Sequence, residues 1–430
     1  MRETPVTAYK EIDIASKHRG GFKEEFKAGG WRVIVASAIG VGLGLSGLPF
    51  YTLGVFTQPL VAEFGWTRAQ VQGALAFMMI GTLLAGGLTG WLADRFGVRR
   101  VALCSQIGLA FGLAGLSFTP NSVAMWNLAW LVMAMLGIGT TPVTWTRAIA
   151  TWFDKGRGFA LGVALMGTGI TALVAPPLTT KLIGLFGWRM AYLALASAVV
   201  VIAIPMVLWL FHEKGDAAHD GSTKRVPSGN GLSLAAALRG YRFWLLMAGF
   251  AAISFGVGGL IPNLVPLLTD KGLSAVDAAF YASIIGINVI GGRVVAGYLL
   301  DRMWAPLVAL IFLSLPALSC VLLAQDLSTP VLIGLSTALI GLAAGAEFDL
   351  IAYLCARYFG IRHYGQIYAW QWVSFMLAAG FAPMAFGRVF DATGSYDPIL
   401  YVAGAGFALG ALLLLGLGRY PKFEATHARG

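Results

Sequence analysis

Three ionisable side chains sit where ionisable side chains are costly. Arg293 lies within INVIGGRVVAGYLL, and Glu347 and Asp349 lie within IGLAAGAEFDLIAYLCA, stretches otherwise built from aliphatic, aromatic and small residues. A guanidinium stays protonated and offers a planar fork to two oxygens, which suits the capture of a carboxylate. Acids held in such surroundings suit either the balancing of that charge or the carriage of a proton. Glu347 and Asp349 are two residues apart, so on a helix they point about 200° apart and need separate explanations. Asp349 shares its side with Gly345, Ala346, Tyr353 and Ala356; Glu347 shares its side with Ile340, Ala343, Ile351 and Leu354. One acid is expected to balance Arg293, the small-and-polar stripe favouring Asp349, and the other to carry the proton. The residues leave the assignment open, as they do the plainer reading that both acids only pin this helix to its neighbours.

Aromatic and amide side chains are the next candidates for substrate contact: Tyr51, Trp145, Asn288, Trp370 and Ser374, with Asn263 of the same rank. Trp and Tyr combine apolar area with one donor, which fits the body of an organic anion. In YAWQWVSF, Trp370 and Ser374 are four apart and are expected to face a common cavity, with Trp372 pointing elsewhere. Arg147 is shallower and equally suited to snorkelling toward an interface. Cys104, Cys320 and Cys355 are scattered through apolar runs, which suggests neither a disulfide framework nor a metal cluster. No nucleophile triad, metal-ligand spacing or phosphate loop is visible, so no enzyme activity, cofactor or metal is expected.

The elements that must position these groups follow from composition. The chain is 58% hydrophobic and 12% charged, whereas a soluble globular chain is about a quarter charged. Its mean hydropathy of +0.76 leaves no polar surface to show to water, so the expected solvent is lipid. The 56 glycines and 13 tryptophans suit close helix packing and interfacial anchoring. Twelve apolar runs are long enough to cross: 33–57, 70–92, 101–119, 127–150, 158–181, 190–211, 243–267, 277–299, 305–325, 331–356, 364–386 and 398–417. Residues 212–242 read as a polar linker between two six-helix bundles, 33–211 and 243–417. Segments 1–32 and 418–430 read as tails, the first carrying no cleavable signal.

Most of the 30 lysines and arginines fall in 1–32, 93–100, 151–157, 212–242, 300–304, 357–363 and 418–430. The alternate connections hold Arg68, Lys181, Arg189, Lys271 and Arg388. This asymmetry predicts that both termini are cytoplasmic. The +10 net charge is then a topology signal and calls for no nucleic acid. A multi-pass protein of the inner or plasma membrane, working as a monomer, is expected.

The two halves share one register. PLVAEFGWT from Pro59 and PLLTDKGLS from Pro266 align at an offset of 207, as do GWLADR at 90–95 and GYLLDR at 297–302. A constant offset across two motifs implies two copies of one six-helix unit, an arrangement that places a substrate path at the interface of the copies. GWLADRFGVRR resembles the loop between helices 2 and 3 of the major facilitator superfamily, and GYLLDR resembles its second copy. GGW at 29–31, EFGWTRAQV at 63–71, WFDKGRGFALG at 152–162 and Arg293 are similar to the monocarboxylate and oxalate:formate branch. That resemblance implies an all-α fold of twelve transmembrane helices in two six-helix pseudo-repeats, working by alternating access. It also implies a carboxylate-binding role for Arg293 and a gating role for Asp94, Arg95, Arg99, Asp301 and Arg302.

Departures from the pattern narrow the chemistry. Ala28 replaces the acid that usually precedes GGW, the helix-1 lysine position falls on Tyr51, and the helix-8 aspartate position falls on Val289. Residues 364–386 contain no lysine, unlike the oxalate exchangers. The expected activity is secondary transport of a monocarboxylate or aromatic acid with protons. The alternatives are anion exchange, or export of a metabolite or drug. The expected partners are a small organic anion, protons and the lipid bilayer.

Overall fold

Glycine and proline decide where the apolar runs become helices and where they break. The computed structural model describes residues 26–153, 157–211, 231–325 and 329–421. The first half contains α1 (Trp31–Gly42), α2 (Leu48–Phe64), α3 (Arg68–Gln72), α4 (Ala74–Phe96), α5 (Val98–Leu116), α6 (Val123–Leu136), α7 (Pro142–Trp152), α8 (Arg157–Ala198) and α9 (Ile204–Leu210). After the short α10 (Leu234–Arg239) come α11 (Tyr241–Asp270), α12 (Ala275–Leu300), α13 (Ala305–Ala324), α14 (Pro330–Phe359), α15 (Tyr364–Thr393) and α16 (Asp397–Leu415). Among the described residues, eight helical stretches are long and apolar enough to cross a membrane, and Trp31–Gly42 and Val123–Leu136 are shorter apolar helices.

Two runs expected as single helices are each broken in the middle. The run 33–57 is interrupted between α1 and α2 by a tight turn, where a Cβ on Gly47 would stand 1.8 Å from the Gly42 carbonyl oxygen. The run 127–150 breaks at GIGTT, passes through a 3₁₀ turn (Ile138–Thr140), and restarts at Pro142. Backbone freed inside an apolar region must find a partner. Here the first break finds a partner in the second, Leu45 N–H donating to Thr140 Oγ1 at 3.0 Å, and within the second Trp145 Nε1 donates to the Thr140 carbonyl at 3.1 Å. Runs 158–181 and 190–211 are joined through α8, which turns at Gly187 with φ +81°.

The first half packs around two apolar clusters and the second around one, into which Val55 of α2 is inserted. Of the expected linker, 212–230 lies outside the described residues, and its end forms α10, capped by Ser233. In the expected tails, 1–25 and 422–430 also lie outside them.

Where the halves meet, backbones touch. A Cβ on Gly286 of α12 would lie 2.3 Å from the Leu173 nitrogen of α8, and one on Gly54 of α2 would lie 2.2 Å from the Pro262 oxygen of α11. Gly387 of α15 leaves 2.6 Å to the Ala69 nitrogen, and Gly380 leaves 2.5 Å to Met79. Two to three helical turns along these same faces, toward the end that carries the 90–100 loop, the fit is gone. Gly162, seven residues before Gly169, and Gly86, seven after Met79, meet no atom within 4 Å; nor does Gly297, eleven after Gly286. The halves are therefore joined at the end opposite the basic loops and splay apart toward those loops. The result is a cleft open on that side.

Candidate functional site

Arg293 is carried on α12 seven residues beyond Gly286, so it lies about 10 Å further along the same face, at the head of the cleft. It is only 5% exposed. A close approach of α12 to α14 puts it there: a Cβ on Gly345 would lie 3.0 Å from the Arg293 nitrogen, and one on Gly292 would lie 2.3 Å from the Leu342 oxygen. Small residues thus let α14 bring its acids to the guanidinium. Arg293 Nε stands 3.4 Å from Asp349 Oδ2, and the Asp349 side chain is 32% exposed. Neither Arg293 Nε nor Nη1 makes a hydrogen bond, although both are buried.

Glu347 is 4% exposed among Ile340, Ala343, Ile351 and Leu354, each fully buried, and its Oε2 has no hydrogen-bond partner. It still lies within electrostatic reach of Arg293. Tyr51 of α2, half-buried against the second half's core, is within reach of both Glu347 and Arg293. The two acids therefore point different ways along α14 yet act on one guanidinium. Asp349 is the acid that pairs with Arg293, and Glu347, on the other side of α14, lies within its electrostatic reach.

The aromatic wall differs from the one expected. Trp370 is 55% exposed. Trp372, expected to point elsewhere, stacks with Tyr368 and Phe375 at centroid distances of 5.9 and 5.4 Å and meets Phe348, the neighbour of Asp349, at 5.4 Å. Tyr364 extends the stack at 5.3 Å from Tyr368, and Tyr368 lies within electrostatic reach of Asp349. The signal was present in the sequence as Tyr364, Tyr368 and Trp372 at spacing four; Trp370 and Ser374 occupy a different face. Ser374 is half-buried on α15. Asn288 is half-buried and donates to the Ile284 carbonyl at 2.9 Å. Trp145 is fully buried in the first half, packed on Gly40 and Phe211, so packing rather than cavity lining accounts for it. Arg147 is exposed on α7.

Of the residues expected to gate, Arg99 and Arg302 each make a bond within their own half. Arg99 Nη2 donates to the Leu208 carbonyl at 2.6 Å; Arg302 donates to the Tyr298 carbonyl at 3.1 Å and covers the Tyr298 ring. Arg95 lies over Trp91 and Phe96, and Asp301 caps α12 in the open. The side chain of Asp94 lies outside the described residues.

Two helical bundles, broken helices and a cleft between the copies describe a transporter scaffold, and the family model of the Major Facilitator Superfamily matches residues 39–383. The chain belongs to the Major Facilitator Superfamily. It is a multi-pass membrane transporter related to the monocarboxylate transporters. Human monocarboxylate transporter 11 is 24% identical over 419 residues, covering 91% of this chain and 84% of the relative. Monocarboxylate transporter 13 from Bos taurus is 25% identical, covering 93% and 92%. A D-xylose–proton symporter shares the fold with a TM-score of 0.72 at 15% identity, covering 91% of this chain and 98% of that one. An inward-facing, unoccupied bacterial homologue of the human lysosomal transporter Spinster shares it at 0.63 and 17% identity, covering 92% and 95%. The superfamily fold of twelve crossings in two six-helix repeats accommodates both broken runs as single interrupted crossings.

Proposed function

We propose that this superfamily member transports an organic monocarboxylate together with a proton, with Arg293 as the carboxylate-binding residue. The observation that carries the reading is a buried guanidinium whose Nε and Nη1 make no hydrogen bond and whose nearest acid stands at 3.4 Å. A buried, incompletely paired charge is expensive, and a substrate carboxylate supplies the missing acceptors. Asp349, partly exposed beside Arg293, is the exchangeable counter-charge. A proton on Asp349 removes its claim on Arg293, the incoming carboxylate restores the balance, and the loaded site carries no extra buried charge as the halves turn. Glu347, within electrostatic reach of both Arg293 and Tyr51, ties this balance to the opposite half. The Tyr368–Trp372–Phe375 stack beside Phe348 supports a ring-bearing acid, because flat aromatic faces pair with one another at such spacings. Uptake of a labelled acid into proteoliposomes under an imposed proton gradient tests the proposal. Normal saturable uptake by an inserted Arg293→Ala variant would sink it.

A further inference from the structure

At the end of the cleft that is closed, one residue of the first half is gripped by several of the second. The Arg68 guanidinium makes a bidentate pair with Asp270, at the end of α11, through Nη1 to Oδ2 and Nη2 to Oδ1 at 2.6 Å. Its Nη1 also donates to the Tyr396 hydroxyl at 3.1 Å, and its guanidinium carbon lies 3.7 Å over the Phe390 ring. The backbone N–H groups of Arg68 and Ala69, which open α3, donate to the two carboxylate oxygens of Asp391 at 3.0 and 2.9 Å. The Tyr396 hydroxyl in turn donates to Asn263 Oδ1 at 3.3 Å. Gln72 adds a bond from Nε2 to the Pro262 carbonyl at 3.3 Å, an oxygen left without its helical donor because Pro266, four residues on, has no N–H. Gln58 and Thr269 join across the same seam at 2.5 Å. The Arg68 side chain is 12% exposed.

The internal repeat explains why this pair crosses the interface. The offset of 207 places Glu63 on Asp270 and Arg189 on Tyr396. In the first half, Glu63 is held inside its own bundle, accepting from Trp188 Nε1 and from Arg189 at 2.5 Å each. In the second half the arginine position is a tyrosine, and among the described residues Asp270 pairs with Arg68 of the other half instead. One substitution between the copies converts an internal pair into a cross-link between halves.

We propose that Arg68, clasped by Asp270, Asp391 and Tyr396, is the latch that holds the carrier closed on the face opposite the basic loops. On the topology set by those loops this face is external, so the latch must part each time the site opens outward. The latch rests on geometry independent of Arg293 and of the substrate.

The test reads opening directly. In a chain with Cys104, Cys320 and Cys355 replaced, Val55→Cys puts a thiol beneath the latch, where Val55 is 7% exposed against the second half's core. A membrane-impermeant maleimide is added outside sealed vesicles and the labelling rate is followed. Arg68→Gln, Asp270→Asn and Asp391→Asn should each label about tenfold faster than the parent, the scale of losing one charge-assisted bond. Tyr396→Arg, which returns an own-half cation to Asp270, should do the same. Glu63→Gln, which breaks only the internal pair, should leave the rate unchanged. Unchanged labelling in the latch variants that reach the membrane overturns the proposal, as does an equal rise in Glu63→Gln. The isosteric aspartate variants keep the test decisive if Arg68→Gln fails to insert.

Discussion

Arg293 Nε and Asp349 Oδ2 stand 3.4 Å apart at the head of an inter-half cleft, close enough to balance charge yet without the hydrogen bonds that would complete the pair. A buried guanidinium in that condition is left with nitrogens that lack an acceptor.

Arg293→Lys separates charge from geometry. The ammonium keeps the positive charge but loses the planar fork, so the concentration for half-maximal uptake should rise about tenfold or more while some transport survives. Arg293→Ala should abolish saturable uptake. Concentration-dependent uptake in proteoliposomes, with insertion checked on the same membranes, decides between them.

Asp349→Asn fixes the counter-charge in its neutral form. Exchange of substrate against preloaded substrate should persist, whereas accumulation driven by an acid-outside gradient should fall to passive equilibration. Glu347→Gln should retain gradient-driven accumulation. If Glu347→Gln alone uncouples, the proton belongs to Glu347 and the assignment made for Asp349 fails. Exchange with no gradient response in the parent would point to an anion exchanger.

Trp372 and Trp370 offer a paired comparison two residues apart. Trp372→Ala should weaken binding of a ring-bearing acid about three- to tenfold, with a smaller effect on a short aliphatic acid. Trp370→Ala, on the exposed side, should alter neither by more than about twofold. Thermal-shift titration against a panel of organic acids measures both.

Gly286→Ala should destabilise the protein by about 1–3 kcal/mol, because the added methyl meets the backbone of α8 and neither helix can yield cheaply. Gly297→Ala, with open space on the same face, should be neutral or stabilising by up to about 1 kcal/mol through helix propensity. Denaturation midpoints in one detergent compare the two. Equal destabilisation would contradict the described closure of the halves at Gly286.

Much of this was legible in the chain alone. Composition imposed lipid as the solvent, because a chain 12% charged cannot cover itself with polar surface. The 207-residue offset imposed two copies of one unit, and hydrophobic cost singled out Arg293, Glu347 and Asp349. These conclusions rest on local chemistry and on register, which a linear sequence carries. What it did not carry was which faces meet. Helical period showed that Trp370 and Trp372 point apart, but not which of them turns toward α14. Only the packing of α15 against α14 chose Trp372. Trp145 resembled a substrate contact until the meeting of two broken helices buried it. The acids Glu63 and Asp270 are repeat equivalents, yet one closes a bundle on itself and the other fastens two bundles together. Tertiary structure decided that difference, because a charged pair is defined by distance in space, and the cation nearest Asp270 lies 202 residues away along the chain.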